Sequence, residues 1–184
     1  MTYEMDIAGL KRDLPLCRVT DALYIGAFVM FGDVELTVHC AAELLKRAPE
    51  YDYLIAPEAK AIPLLYEMAR QSGAEKYFLA RKGAKAYMTG VFEVEVRSIT
   101  TMHIQKLVID TADAELIKGK KILIVDDVIS TGESLRALET LVEHAGGEIA
   151  GKMAVLAEGD AKDRDDIITL APLPLFNADG TVKA

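Results

Sequence analysis

The strongest constraint on this chain lies at residues 120–134, KKILIVDDVISTGES. Lys120 and Lys121 lead into Ile122, Leu123, Ile124 and Val125, a short apolar run. A run of that length, bounded by charge, predicts a strand buried on both faces of a parallel sheet. Asp126 and Asp127 stand at its carboxyl end, Val128 and Ile129 follow, and a polar turn comes next: Ser130, Thr131, Gly132, Glu133 and Ser134. Beyond the turn, Leu135, Leu138, Leu141 and Val142 fall on one face of a helix.

In open α/β sheets, ligands bind in the crevice at the carboxyl ends of the strands. A turn that opens a helix presents unpaired N–H groups and the positive end of the helix dipole. Gly132 lets the backbone approach an anion closely, and the hydroxyls of Ser130, Thr131 and Ser134 add donors. The turn therefore suits a phosphate monoester. The two acids suit either the sugar hydroxyls beside that phosphate or a hydrated magnesium ion. Paired acids after a strand can also be no more than a helix cap or a solvated turn. What separates this stretch is the order of its parts: apolar strand, acids, hydroxyl-lined glycine turn, amphipathic helix.

That order resembles the phosphoribosyl-pyrophosphate (PRPP) motif of type I phosphoribosyltransferases. In that family an apolar strand runs into two acids, two apolar residues and a small-Thr-Gly-x-Thr/Ser turn. The agreement covers residues 122–125, Asp126, Asp127, Val128, Ile129, Ser130, Thr131, Gly132 and Ser134. Glu133 departs from the glycine often found there in the purine branch, and a carboxylate at this point is compatible with a phosphate only if it points to solvent. The resemblance implies an α/β fold, an open and mostly parallel twisted sheet flanked by helices. It also implies one domain over residues 1–184, a small N-terminal hood over residues 1–32 joined by the C-terminal segment, and a β-hairpin flap over residues 82–109.

The same resemblance assigns roles. Asp126 and Asp127 are the expected catalytic pair and hold Mg2+, directly or through water. Ser130, Thr131, Gly132, Glu133 and Ser134 are expected at the 5′-phosphate of PRPP. Residues 53–56 read as a second buried strand, ending in Pro57, Glu58, Ala59, Lys60 and Ala61. Ala59 and Lys60 there are the expected pyrophosphate contacts, and Glu58 either binds a lysine or faces magnesium. Residues 77–80 read as a third strand. Arg81, Lys82 and Lys85 cluster at its end, in a chain whose formal charge is −8. A polyanionic substrate explains such a cluster, and the resemblance gives it pyrophosphate; a solvated basic turn is the plainer alternative. Phe28, in an aromatic segment, and Glu158, after the strand predicted over residues 149–157, are the expected base contacts. Phe28 reads equally as ordinary core, and Glu158 equally as a solvated loop acid.

Elsewhere, residues 5–14 predict a helix closed by Pro15, and Asp33 predicts the N-cap of the next helix. Residues 86–109 alternate with period two, the flap, with Thr100, Thr101 and His103 near its tip. Residues 163–166 read as a solvated turn, residues 171–176 as a last edge strand broken by Pro172 and Pro174, and the tail after Asn177 as loose. The acidic balance argues against non-specific nucleic-acid binding. No apolar run is long enough to cross a bilayer. Cys17 and Cys40 lack metal-ligand spacing and read as free thiols of a reducing cytoplasm.

The expected activity is transfer of ribose 5-phosphate from PRPP to a purine, adenine favoured, with release of pyrophosphate. The expected partners are PRPP, a nucleobase and a second copy of the chain in a homodimer. A non-catalytic PRPP sensor of the same fold, or a pyrimidine (orotate) enzyme, are the competing readings.

Overall fold

The computed structural model describes residues 1–97 and 104–183. The chain runs β1 (Thr2–Ile7), β2 (Leu10–Arg18), β3 (Tyr24–Gly26), α1 (Val34–Leu45), β4 (Tyr53–Pro57), α2 (Ile62–Ser72) and β5 (Phe78–Ala80). It continues through β6 (Val91–Arg97), β7 (Ile104–Asp110), α3 (Thr111–Ile117), β8 (Lys121–Ile129), α4 (Glu133–His144), β9 (Glu148–Glu158), β10 (Ile168–Leu173) and β11 (Leu175–Phe176). The central sheet has five strands in the order β10-β9-β8-β4-β5, every pair parallel.

Because the sheet is covered on both faces, its strands alternate between two cores. Leu54, Ala56, Leu123, Val125, Met153 and Val155 point to the α1–α2 layer. Ile55, Ile122, Ile124 and Ala154 point the other way, toward Leu135, Leu138 and Leu141 of α4. Such double burial is why residues 122–125 are uniformly apolar.

The N-terminus departs from the sequence reading. Residues 5–14 form no helix; β1 and β2 pair antiparallel. Tyr3, Met5 and Ile7 alternate with Glu4 and Asp6, and the odd positions Met5 and Ile7 are buried. Ala8 (φ 53°) and Gly9 (φ 93°) close the hairpin in the left-handed region that a two-residue turn demands. The Gly9 N–H donates to Asp6 Oδ1 at 2.7 Å. Pro15 lies inside β2 instead of ending a helix.

The C-terminal segment also differs from expectation. The predicted edge strand over residues 171–176 is two strands in two sheets. β10 lies beside β9, and the chain then passes through Pro174 so that β11 pairs with β3. The small sheet therefore has the order β1-β2-β3-β11. The tail after Asn177 is tied down: Val182 bridges Phe176, and the Lys183 N–H donates to the Leu175 carbonyl at 2.7 Å. Met5, Ile7, Leu14, Phe28 and Met30 join the α1–α2 core, which fixes the small sheet to the central one.

Strands β6 and β7 form the expected hairpin. Val94, Leu107 and Ile109 are buried against α4, so its base belongs to the core. Thr100, Thr101 and His103 lie outside the described residues.

Candidate active site

Three strand ends meet at the carboxyl edge of the central sheet. Strand β8 runs past its apolar stretch, so Asp126 and Asp127 are strand residues, 8 % and 3 % exposed. The Asp127 N–H donates to Asp126 Oδ1 at 2.8 Å. Burial, and then the neighbouring charge of Asp127, push the Asp126 carboxyl well above the usual carboxylate range.

The turn after β4 delivers Lys60 to this pair, with Nζ 2.7 Å from Asp127 Oδ2. The contact is an ion pair without hydrogen-bond alignment, and Oδ2 is a buried acceptor with no hydrogen bond among the described residues. Ala59, beside Lys60, is exposed, and the Glu58–Ala59 peptide is cis.

Strand β5 delivers Arg81 and Lys82. In-register pairing of Pro57 with Ala80 sets residue 58 beside residue 81. Glu58 Oε2 lies 3.3 Å from Arg81 Nε, and Glu58 Oε1 accepts from the Lys82 backbone N–H at 3.0 Å. Glu58, expected either to bind a lysine or to face magnesium, thus meets Arg81, because strand register, invisible in sequence, decides the neighbour. Arg81 also lies over the Tyr87 ring, 5.8 Å from its centroid, and its backbone exchanges hydrogen bonds with Val108 of β7, each 2.8 Å. Lys82 and Lys85 are exposed on the same loop.

The turn after β8 caps α4. Gly132 sits at φ 78°, and Ser130, Thr131 and Ser134 are exposed around it. The Glu133 N–H reaches Thr131 Oγ1 at 3.5 Å. A cleft of about 110 Å³ opens here, lined by Asp126, Val128 and residues 129–135. Glu158 closes β9, partly exposed and in register with Leu173. Phe28 is packed into the core at 4 % exposure.

One neighbour of the turn comes from a segment remote in sequence. Residues 163–166 are not merely a solvated turn: Arg164 holds Asp166 through two hydrogen bonds, 2.8 and 2.7 Å, and its Nη1 lies against Gly132. A single Arg among acids carries no sequence signal for this.

Among the described residues, no three His, Cys, Asp or Glu side chains cluster as a metal cage, and no helix is long and apolar enough to cross a membrane.

Comparison with known proteins identifies the family. Residues 37–171 match the phosphoribosyl transferase domain family. An adenine phosphoribosyltransferase of Thermosipho africanus is 29 % identical over 173 residues, covering 89 % of this chain and 94 % of that protein. An adenine phosphoribosyltransferase of Petrotoga mobilis is 30 % identical over 163 residues, covering 84 % and 88 %. The crystal structure of adenine phosphoribosyltransferase from Thermoanaerobacter pseudethanolicus superposes with a TM-score of 0.64 at 22 % identity, covering 94 % of this chain and 95 % of that one. With the family match spanning most of the chain and the fold shared end to end, the chain belongs to the phosphoribosyltransferase family.

Proposed function

We propose that this enzyme transfers the ribose 5-phosphate unit of PRPP to a ring nitrogen of a purine, adenine favoured, and releases pyrophosphate. The observation that carries the reading is the Lys60–Asp127 contact of 2.7 Å, which joins the cation of one strand end to the acids of another. It sets an anion-binding side chain beside a sugar-binding pair, the spacing a sugar diphosphate needs.

The residues divide the work. Ser130, Thr131, Gly132 and Ser134, with the Glu133 N–H, hold the 5′-phosphate at the start of α4. Anchoring far from the reacting carbon lets binding energy act on the transition state. Asp126 and Asp127 bind the ribose hydroxyls, and their charge favours the positive character that C1′ gains as its bond to pyrophosphate breaks. Lys60, Lys82 and Lys85, with the backbone at Ala59, take the departing pyrophosphate. In the free protein Lys60 is paired with Asp127, so substrate exchanges one anion for another. Arg81 is held by Glu58 and Tyr87, so it shapes the loop that carries Lys82 and adds its charge to it. Glu158 is the candidate partner of a base N–H, and Phe28 supports the base side from within the core.

Two adjacent carboxylates, with Asp127 Oδ2 ion-paired to the half-exposed Lys60 and not hydrogen-bonded, fit magnesium, which takes one or two protein carboxylates when substrate oxygens and water complete its shell. Asp126 and Asp127 would hold the ion beside PRPP, where it would supply positive charge to offset the negative charge of the pyrophosphate. The setting we propose is a reducing cytoplasm, which suits the free thiols Cys17 and Cys40, and a homodimer. Supporting the dimer, Val34, Val38 and Tyr66 are exposed at 73 %, 39 % and 55 % around a cleft of about 230 Å³ between α1 and α2.

The test is PRPP and magnesium with adenine, guanine, hypoxanthine, xanthine or orotate, following pyrophosphate. Adenine is expected to give the highest rate. Asp126→Asn combined with Asp127→Asn is expected to leave a folded protein, by circular dichroism, with turnover near background. An unchanged PRPP-dependent rate in that variant removes the mechanism.

A further inference from the structure

We propose that Arg164 is a positioning residue of the phosphate turn, fixed by Asp166 and laid against Gly132 so that it strengthens the turn's hold on a phosphate monoester. This rests on the reading of residues 130–134 as the 5′-phosphate site. Arg164 lies outside the cleft-lining residues and 32 residues after Gly132 in sequence, yet its Nη1 stands against that glycine in space. A Cβ built on Gly132 would stand 3.0 Å from Arg164 Nη1.

The guanidinium is not loosely placed. Its Nε and Nη2 donate to Asp166 Oδ1 and Oδ2, at 2.8 and 2.7 Å, a fork-to-fork pair that sets the plane of the group. Asp166 is in turn held by Lys152 Nζ at 2.5 Å, and Lys152 also reaches Glu139 of α4 at 2.8 Å. Lys152 is 16 % exposed at its side chain. A chain of ion pairs therefore runs from the body of α4, through β9, to the residue that touches the start of the same helix. With two of its nitrogens committed to Asp166, Arg164 presents the third to the turn.

Two consequences follow for the site. The guanidinium, its charge partly offset by Asp166, adds a positive N–H edge beside a turn that already offers backbone N–H groups. It also crowds position 132, where a Cβ would push Arg164 aside by a few tenths of an ångström, in addition to the strain of a φ of 78°.

Calorimetry with ribose 5-phosphate and, separately, with pyrophosphate tests this on the full chain. Arg164→Gln is expected to weaken ribose 5-phosphate by about tenfold, the loss of one charge-assisted interaction, while pyrophosphate binding stays at the wild-type value. In turnover the same loss is expected in KM for PRPP with a much smaller change in kcat. Arg164→Lys keeps the charge but not the fork, and is expected to recover part of the affinity. Asp166→Asn, which leaves Arg164 in place but loosens it, is expected to fall between wild type and Arg164→Gln. Wild-type affinity for ribose 5-phosphate in Arg164→Gln overturns the inference. So does an equal loss for both ligands, which marks general damage to the fold. Failure of the wild-type protein itself to bind ribose 5-phosphate strikes the reading of the turn, and this inference with it.

Discussion

Asp126 shows how one buried carboxyl links stability to activity. Its proton is held more tightly in the folded protein than in the unfolded chain, through burial first and the Asp127 charge second. The folded state therefore binds more protons than the unfolded state above pH 3.8, and stability falls as pH rises from there toward the folded pKa. Asp126→Asn removes that charge and keeps the acceptor for the Asp127 N–H. We expect the variant to melt at a higher temperature than wild type at pH 7, in thermal unfolding, and to lose activity by about two orders of magnitude or more. A lower melting temperature contradicts the assignment. Glu67 has the opposite sign. Arg70 hydrogen bonds, opposed by burial and aided by Gln71, hold its carboxyl down from 4.5 to about 2. It contributes stability above pH 4.5 that is lost as pH falls toward 2. Urea titrations across that window should show a shallower decline in Glu67→Gln than in wild type.

At the scale of elements, two attachments hold the parts that surround the cleft. Asp33 accepts from the Leu36 N–H at 3.0 Å, capping α1, and also receives Arg12 Nε at 2.7 Å from β2. One side chain thus starts a helix and pins the N-terminal hairpin. Asp33→Ala should cost about 1–2 kcal/mol in urea unfolding, the sum expected of a lost cap and a partly exposed ion pair. The β6–β7 hairpin is attached by packing instead. Leu107 is 2 % exposed among residues of α4 and β5. Leu107→Ala should cost about 2–5 kcal/mol, and hydrogen exchange should quicken in β6, β7 and α4 together. Exchange confined to the hairpin would show that it is not packed as a unit with α4.

For the whole molecule, the site exists only where β4, β5 and β8 end side by side, so a ligand that spans those ends should stabilise the entire fold. Adenosine monophosphate at about one hundred times its Kd should add about 2.7 kcal/mol to unfolding, read as a rise in melting temperature that Asp126→Asn with Asp127→Asn abolishes. Much of this arrangement was legible along the chain. An apolar strand, two acids and a hydroxyl-lined glycine turn are consecutive, and local chemistry alone makes them a strand end that opens a helix. Double burial made residues 122–125 apolar, and that too is written in the sequence. Contacts between residues remote in sequence came from the packed fold alone. Register between β4 and β5 gave Glu58 to Arg81, the packing of the chain after β9 brought Arg164 to Gly132, and Lys60 met Asp127 across a strand boundary. The helix that residues 5–14 predict gives way to the β1–β2 hairpin, because the pairing of β2 with β3 and the burial of Met5 and Ile7 depend on residues outside that stretch. A sequence fixes what each residue can bond with; distance in the fold fixes which of those bonds is made.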